Sequence, residues 1–366
     1  MKRPVIFTVL LGVLLLLAIG CERKVTNTIV QDHSFTGADA CMQCHGDSDL
    51  KLVAAQAQWV NSKHGQGATT ILNANVGDGS CERCHTAEGF LAYITGVTFD
   101  SSHYSSIGCF TCHAPHTTGT LALRVTAPVT LLNGVAFDHG EANLCATCHH
   151  SRRDVRSYVA DSVQLSDRFG PHHGPQGDML TGTGGYEYAG WTYTNSPHSN
   201  VAADGCIDCH MSPSIGVELG GHTWTMEAVT VEGTEQNLVG CNKSTCHSPA
   251  LEDFDFHGVQ TTIDAYLDSL GTALFDVGLV EYSIEESEGG VVDTTFAPTA
   301  DRVVKSKDST GAVYNYMFVK EDRSEGVHNT DYALGLLQSS LNFIRTGNPS
   351  TAPGVRISRL DTYSSH

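Results

Sequence analysis

The chain has 366 residues, a formal net charge of −19 and only 8% aromatic residues. This acidity excludes nucleic-acid binding through phosphate contacts and favours basic partners or cationic surfaces, although it would also keep an exported protein soluble. The length suffices for two ordinary domains, but so few aromatic residues provide too little apolar surface to fill their cores. We therefore expect another source of buried apolar surface.

The N-terminal residues have the pattern of an export signal, MKRPVIFTVLLGVLLLLAIGC. Two positive charges precede an apolar run of about 15 residues, which is short for a membrane span of about 20 residues. The ending Ala18-Ile19-Gly20-Cys21 resembles a bacterial lipobox. We predict a signal peptide over residues 1–20 and lipidation at Cys21, with a free or processed cysteine as the alternative. Residues 21–40 lack a periodic apolar face and predict a lipidated tether.

Twelve of the thirteen cysteines lie in motifs in which a histidine directly follows the second cysteine. Five motifs read C-x-x-C-H and the last reads C-x-x-x-x-C-H. In this signature, two thiols attach to the vinyl groups of a haem and the histidine ligates its iron. Zinc ribbons and disulfide frameworks, the two alternatives, do not require that histidine. The six motifs, called site 1 to site 6 in chain order, are Cys41/Cys44/His45, Cys81/Cys84/His85, Cys109/Cys112/His113, Cys145/Cys148/His149, Cys206/Cys209/His210 and Cys241/Cys246/His247. The sequence predicts six covalently attached haem c groups.

Nineteen histidines less the six in the motifs leave thirteen for the opposite face of the irons. Six distal imidazoles would make every haem bis-His, low-spin and low in potential. The predicted distal ligands are His64, His116, His172 or His173, His198, His222 and His328. Reserves are His103, His139 and His257, and Met211 and Met226 are alternative thioether ligands. Two arginines after site 4, Arg152 and Arg153, are predicted to bind haem propionates, with a solvated pair as the alternative.

Apolar spacing predicts a helix over residues 49–60 and an amphipathic helix over residues 261–275. Two further helical patterns cover residues 311–319 and 332–344. Residues 121–132 predict a short strand pair or an extended crossover, and residues 281–301 an exposed loop or short hairpin.

These patterns predict a mainly α protein with much irregular structure: a multihaem cytochrome c wrapped around a haem chain, with a C-terminal helical segment packed on it. The motifs end at His247 and the composition changes near residue 250. We therefore expect a multihaem domain over residues 41–250 and a C-terminal segment over residues 251–366 that supplies His328 as a distal ligand.

The run Cys206-Ile207-Asp208-Cys209-His210-Met211 is followed by Gly221-His222, and Gly311-Ala312-Val313-Tyr314-Asn315-Tyr316 leads into Gly326-Val327-His328-Asn329. This arrangement resembles bacterial multihaem c-type cytochromes of the class related to cytochrome c nitrite reductase and hydroxylamine oxidoreductase. The resemblance covers most of residues 41–346. It implies periplasmic or cell-surface electron transfer through closely spaced haems. The chain lacks the C-x-x-C-K site of the nitrite reductases, which argues against ammonia-forming nitrite reduction.

The leading hypothesis is an electron carrier without catalytic residues, lipid-anchored in the periplasm or at the outer membrane or cell surface. Its expected partners are other cytochromes, membrane quinol oxidoreductases or terminal reductases, and a homo-oligomer is left open. One alternative is a reductase in which one open haem acts on a small nitrogen or sulfur oxyanion. Another is a subunit of a cytochrome filament.

Overall fold

The computed structural model describes residues 49–66, 81–97, 104–114, 121–230, 233–286 and 292–350. They belong to one compact unit, Ser34–His366. Within these ranges no helix combines the length and the apolar character needed to cross a bilayer. The predicted signal peptide, the tether and Cys21 lie outside the described residues.

Short helices separated by irregular segments dominate the N-terminal part. They are α1 (Leu50–Val60), α2 (Glu82–His85), α3 (Ala87–Thr95), α4 (Cys109–Cys112), α5 (Asn143–Ala146), α6 (Val155–Tyr158), α7 (Gln176–Thr181), α8 (His198–Val201) and α9 (Cys206–His210). Helix α1 confirms the helix predicted at residues 49–60. It begins where the Asp49 carboxylate accepts hydrogen bonds from the backbone N–H groups of Lys51 and Leu52.

The strands form two-stranded antiparallel pairs: β1 (Val129–Thr130) with β2 (Ala136–Phe137), β3 (Val163–Gln164) with β8 (Val303–Val304), β4 (Glu227–Thr230) with β5 (Gly233–Gln236), and β6 (Val280–Glu286) with β7 (Val292–Pro298). The β6–β7 pair is the hairpin predicted within residues 281–301. Residues 121–132 form an irregular crossover that ends in β1, with one bridge between Leu123 and His113.

Three long helices follow site 6: α10 (Val259–Asp276), α11 (Lys307–Asp322) and α12 (Thr330–Thr346). They confirm the three helices predicted in this part of the sequence, and all three pack on one another. Each cap satisfies backbone groups that a helix leaves free. The Ser306 hydroxyl accepts the N–H of Ser309 at the start of α11, and Gly347, in the left-handed conformation, ends α12.

The main apolar core lies around these three helices. Tyr314, Phe318 and Tyr332 are among its largest fully buried side chains. The same core includes buried side chains between positions 155 and 179, which precede site 5, and β3 pairs with β8, so the core joins both sides of residue 250. Of the described residues before 115, only Ala87 and Phe90 are buried apolar residues. The fold is mainly α with much irregular structure, as expected, and the segment around sites 2 and 3 has little apolar interior of its own.

Candidate functional site

In four described motifs, a single helical turn gathers the functional side chains. The backbone N–H of the motif histidine donates to the carbonyl of the first cysteine, at 3.2 Å for His85, 2.9 Å for His113 and 2.9 Å for His149. Helix α9 covers site 5 in the same way. Positions i, i+3 and i+4 of a helix share one face, so both thiols and the imidazole are presented together.

The wider motif of site 6 closes with the same bond. The N–H of His247 donates to the Cys241 carbonyl at 3.3 Å, although two more residues lie between the cysteines. The exposed inserted loop is tied down by Lys243, whose Nζ lies 3.3 Å from Oδ1 of Asp208 in α9. The longer spacing therefore still brings the histidine back to the first cysteine. Site 1, with Cys41, Cys44 and His45, lies outside the described residues.

Cys246, the second cysteine of site 6, departs from the pattern of the other motifs. It is exposed, whereas the other nine described motif cysteines, including its partner Cys241, are half-buried. The physical reason is the two extra residues, because the whole stretch 242–246 loops out into solvent. There the Cys246 thiol lies 3.8 Å from the Thr245 hydroxyl. The polypeptide alone thus does not enclose this thiol as it encloses the others, and haem attachment at Cys246 stays a prediction.

Each motif histidine that the structure describes faces a second imidazole, and the distances between ring centroids fall between 6.1 and 6.4 Å. The five pairs are His85 with His172, His113 with His222, His149 with His64, His210 with His328, and His247 with His198. All five facing imidazoles come from the predicted distal set.

This separation fits one metal ion held between two imidazoles. A bond of about 2 Å to each nitrogen, with each ring centre about 1.1 Å behind it, places the two centroids about 6 Å apart. The recurrence of one spacing at five places is what a common two-imidazole site requires. The described motifs thus fit the donor set of a bis-His haem, with two thiols in the same motif as one of the imidazoles.

Hydrogen bonds orient several of these imidazoles. Because a carbonyl or carboxylate oxygen can only accept, the Nδ1 atom facing it carries the proton and leaves Nε2 free to bind a metal. Three Nδ1 atoms donate to backbone carbonyls: that of His113 to Leu121 (2.6 Å), that of His198 to Val327 (2.6 Å) and that of His210 to Trp224 (2.8 Å). The Nδ1 atom of His328 donates to the Asp322 carboxylate (2.8 Å).

Burial holds most of the paired imidazoles in the neutral form that a ligand needs. It lowers the pKa of His64 and His172 to about 4, with a further contribution from neighbouring imidazoles, and the pKa of His210 to about 4 as well. His328 differs. Burial alone would lower its pKa, but the Asp322 carboxylate outweighs burial and raises it.

The structure separates the two candidates of the Pro171–Gly174 turn. His172 has a left-handed backbone, with φ of 77°, and its ring faces His85. The Nδ1 atom of His173 instead lies 2.7 Å from Oε2 of Glu321. The sequence did not distinguish these neighbours because their difference depends on contacts with α11.

The remaining candidates have other surroundings or fall outside the described ranges. The ring of His139 contacts Phe137, and that of His257 contacts Phe256. His116 and the reserve His103 lie outside the described residues.

The two arginines after site 4 have different environments. The guanidinium of Arg153 lies over the Tyr158 ring, 5.1 Å from its centroid. Arg152 donates from Nη2 to the Cys148 carbonyl at 3.4 Å, whereas its buried Nη1 has no hydrogen-bond partner among the described residues. Its positive charge also contributes to the lowered pKa of His85. An unsatisfied guanidinium nitrogen beside two motifs fits a carboxylate such as a haem propionate.

Neighbouring motifs contact one another directly. The Cys84 thiol lies 3.9 Å from the Thr147 carbonyl, and the Cys148 thiol lies 3.8 Å from the Arg83 carbonyl, so sites 2 and 4 pack reciprocally. Cys206 packs against the apolar cluster that includes Ala146 of site 4, which joins sites 4 and 5. With the Lys243–Asp208 contact, sites 2, 4, 5 and 6 form a continuous row.

The part of the chain that the structure describes has the geometry of neither alternative to haem attachment, a zinc site or a disulfide framework. There, no group of three or more His, Cys, Asp or Glu side chains is arranged to hold a metal ion, as a tetrahedral zinc site requires. The ten described cysteines are free thiols, which is not the pattern of a disulfide framework.

No family model matches the chain. The C-type polyheme cytochrome OmcB of Geobacter sulfurreducens is 23% identical in an alignment that covers 94% of this chain and 60% of OmcB. The chain is thus similar to polyhaem c-type cytochromes. OmcC of the same species is 23% identical over 78% of this chain and 46% of its own length. The chain thus spans about three-fifths of OmcB and less of OmcC. The solved structure of the outer cell wall cytochrome OcwA has a TM-score of 0.49 and 21% identity, over 78% of this chain and 49% of OcwA.

Some residues that orient the paired imidazoles were not singled out from sequence. Asp322 orients His328, and the Trp224 carbonyl orients His210. Gln176, whose Oε1 atom lies 3.3 Å from Nδ1 of His149, is a third. The first two lie near a histidine in the chain, but only the folded structure shows which imidazole each contacts.

Proposed function

We propose that this protein is a multihaem c-type cytochrome that carries electrons along a chain of six bis-His haems of low potential. The observation that carries the proposal is the set of five facing imidazole pairs, each of which includes one motif histidine. The similarity to polyhaem cytochromes supports the same cofactor.

In this proposal each pair of motif cysteines forms two thioether bonds, and the following histidine is the proximal ligand. The distal ligands are His172, His222, His64, His328 and His198 for sites 2 to 6 in order. Among the predicted distal ligands, His116 is then left for site 1. Bound haem supplies an iron that takes up and releases one electron. The chain orients the facing imidazoles and keeps most of them neutral, with His328 as the exception, and two imidazoles on each iron would favour electron transfer without substrate binding there.

The location and partners are part of the same proposal. The leader sequence and Cys21 support an exported, lipid-anchored protein in the periplasm or at the outer membrane or cell surface. The net charge of −19 favours basic surfaces on its donor and acceptor. The donor would be a cytochrome or membrane quinol oxidoreductase, and the acceptor a terminal reductase or an extracellular oxidant.

The alternatives have less support. In a reductase one iron must be open, but every described motif histidine faces an imidazole. In a filament, a histidine from one chain would ligate a haem of the next. These five sites do not require such an exchange, because both histidines of each pair belong to one chain. The narrower relation to the nitrite reductase and hydroxylamine oxidoreductase class stays a prediction.

The test is to produce the full chain with a c-type cytochrome maturation system and to record its mass and its visible spectrum, reduced, with and without carbon monoxide. Six covalent haems and an unchanged reduced spectrum under carbon monoxide are expected. Colourless protein, bound zinc, or carbon monoxide binding to a haem of the intact protein would contradict the proposal.

A further inference from the structure

Trp224 lies in a tightly held turn after site 5. It follows the 3₁₀ turn Gly221–Thr223 and has a left-handed backbone, with φ of 55°. Its N–H donates to the Gly221 carbonyl at 3.2 Å, and the N–H of Gly220 donates to the Thr225 carbonyl at 2.8 Å. A bulky residue rarely adopts this backbone conformation, and it persists where the surrounding structure enforces it. The turn therefore fixes where the indole ring points.

The indole ring contacts the facing imidazoles of two different sites. Its centroid is 4.7 Å from that of His64, at an interplanar angle of 72°, and 5.7 Å from that of His222, at 68°. Both contacts are edge-to-face, a geometry that aromatic rings favour. His64 faces site 4 and His222 faces site 3, so one side chain contacts both.

The backbone of Trp224 contacts a third site. Its carbonyl accepts a hydrogen bond of 2.8 Å from Nδ1 of His210, the motif histidine of site 5. The other two tryptophans have different surroundings. The indole N–H of Trp59 donates to the Ile107 carbonyl at 2.9 Å, and Trp191 lies near Gly335 in α12.

We propose that Trp224 is a junction residue: its indole positions the distal imidazoles of sites 3 and 4 and forms the packed path for electrons between those two haems, while its carbonyl orients the proximal imidazole of site 5. The inference rests on the proposed haem ligation. It adds a connection from site 3 to the row formed by sites 2, 4, 5 and 6.

This role predicts more than space filling. The plane of each axial imidazole sets the low-spin spectrum of its ferric iron, so loss of the indole should change the signals of sites 3 and 4. Site 5 supplies an internal control, since a side-chain substitution leaves the backbone carbonyl in place. Removing the ring also opens a gap between two haems, and electron transfer weakens as packed atoms are lost from the path.

The experiment compares the holoprotein with the variants Trp224→Leu and Trp224→Phe, and with Trp191→Phe as the matched control. Mass spectrometry first establishes an unchanged haem number. Electron paramagnetic resonance (EPR) then compares the low-spin ferric signals, and pulse radiolysis measures how fast an injected electron equilibrates among the haems.

In Trp224→Leu we expect altered positions for two low-spin signals and a several-fold slower equilibration phase. Trp224→Phe should show smaller changes of the same kind, and Trp191→Phe should match the parent. Parent-like signals and rates in the Leu variant with all haems bound would overturn the inference, as would an equal change in every signal. If Trp224→Leu loses haem, the EPR signal positions and the equilibration rate of Trp224→Phe decide whether the inference holds.

The two proposals fail in different ways. A parent protein without low-spin haem would contradict the proposed function. A low-spin parent whose Trp224 variants behave like it would contradict only the role of Trp224.

Discussion

His172 and His173 show that the backbone conformation at a single residue decides which histidine faces a motif histidine. They are adjacent and chemically identical, yet one ring faces His85 and the other faces Glu321. The left-handed backbone of His172 turns the two side chains toward different neighbours. Distal ligation is therefore a property of the loop conformation as well as of the residue type.

The variants His172→Gly and His173→Gly test this assignment as a matched pair. Glycine suits the left-handed backbone at position 172, so the first change removes the imidazole with little strain. We expect His172→Gly to convert about one haem in six to a high-spin form that binds carbon monoxide when reduced, because one axial position opens. His173→Gly should stay low-spin. EPR and carbon monoxide titration report both, and the reverse pattern would assign ligation to His173.

Asp322 is expected to tune one haem. Its buried carboxylate accepts the Nδ1 proton of His328 at 2.8 Å, which makes that imidazole a stronger donor to iron and favours the oxidised state. In Asp322→Asn the hydrogen bond can remain while the charge is lost. We expect the potential of one haem to rise in a spectroelectrochemical titration.

Asp268→Asn, which removes an exposed carboxylate of α10, is the control and should leave the titration unchanged. If the two variants titrate alike, Asp322 does not tune a haem.

At the scale of elements, the helical turn of sites 2 to 5 was predictable because C-x-x-C-H matches the spacing of one helical face. The wider spacing of site 6 has no such match, so the exposure of Cys246 could not be read from the sequence. The α10–α12 helices and the β6–β7 hairpin were predictable from local patterns.

The pairing of motif histidines with distal histidines was not predictable, because His210 and His328 are far apart in the chain and meet only when the C-terminal helices pack. For the same reason, sequence suggested neither the contact of Trp224 with His64 nor the row of touching motifs.

Helix α11 depends on a close approach that only glycine allows. A Cβ at Gly311 would lie 2.1 Å from the ring of Tyr186, whose hydroxyl donates to Asp308. We expect Gly311→Ala to lower the free energy of unfolding by roughly 1–3 kcal/mol, because overpacking outweighs the higher helix propensity of alanine. Chemical unfolding followed by circular dichroism measures the change.

The control for helix propensity is Asp268→Ala on the exposed side of α10, which should leave the stability close to that of the parent. A Gly311→Ala variant as stable as the parent would mean that Tyr186 moves aside without cost.

At the scale of the whole molecule, the apolar interior is unevenly distributed. The main core surrounds the C-terminal helices, while the described residues before 115 bury few apolar side chains. Haems packed between the motif segments would supply the missing surface, in line with the low aromatic content. The composition suggested this shortage, but it did not show where in the molecule the shortage lies.

The pH dependence of global stability should include a contribution from Asp178. This buried carboxyl group accepts the N–H of Ser151 at 2.7 Å, and burial raises its pKa to about 6. A folded-state pKa above the unfolded value of 3.8 means that its stabilising contribution is complete below pH 3.8 and is lost as the pH rises through about 6.

Between pH 5 and pH 8, the parent should therefore lose up to about 1.4 kcal/mol more of its unfolding free energy than Asp178→Asn, because about one pKa unit of the shift falls in this window. Guanidinium unfolding of both proteins at the two pH values measures this difference. Parallel pH profiles would show that Asp178 does not contribute.

The central claim is that a histidine pair closes each haem iron. EPR of the ferric holoprotein, with the integrated spins compared with the total haem iron, tests it most directly. We predict low-spin signals that account for all of the iron. A dominant high-spin signal in the intact protein would contradict the claim.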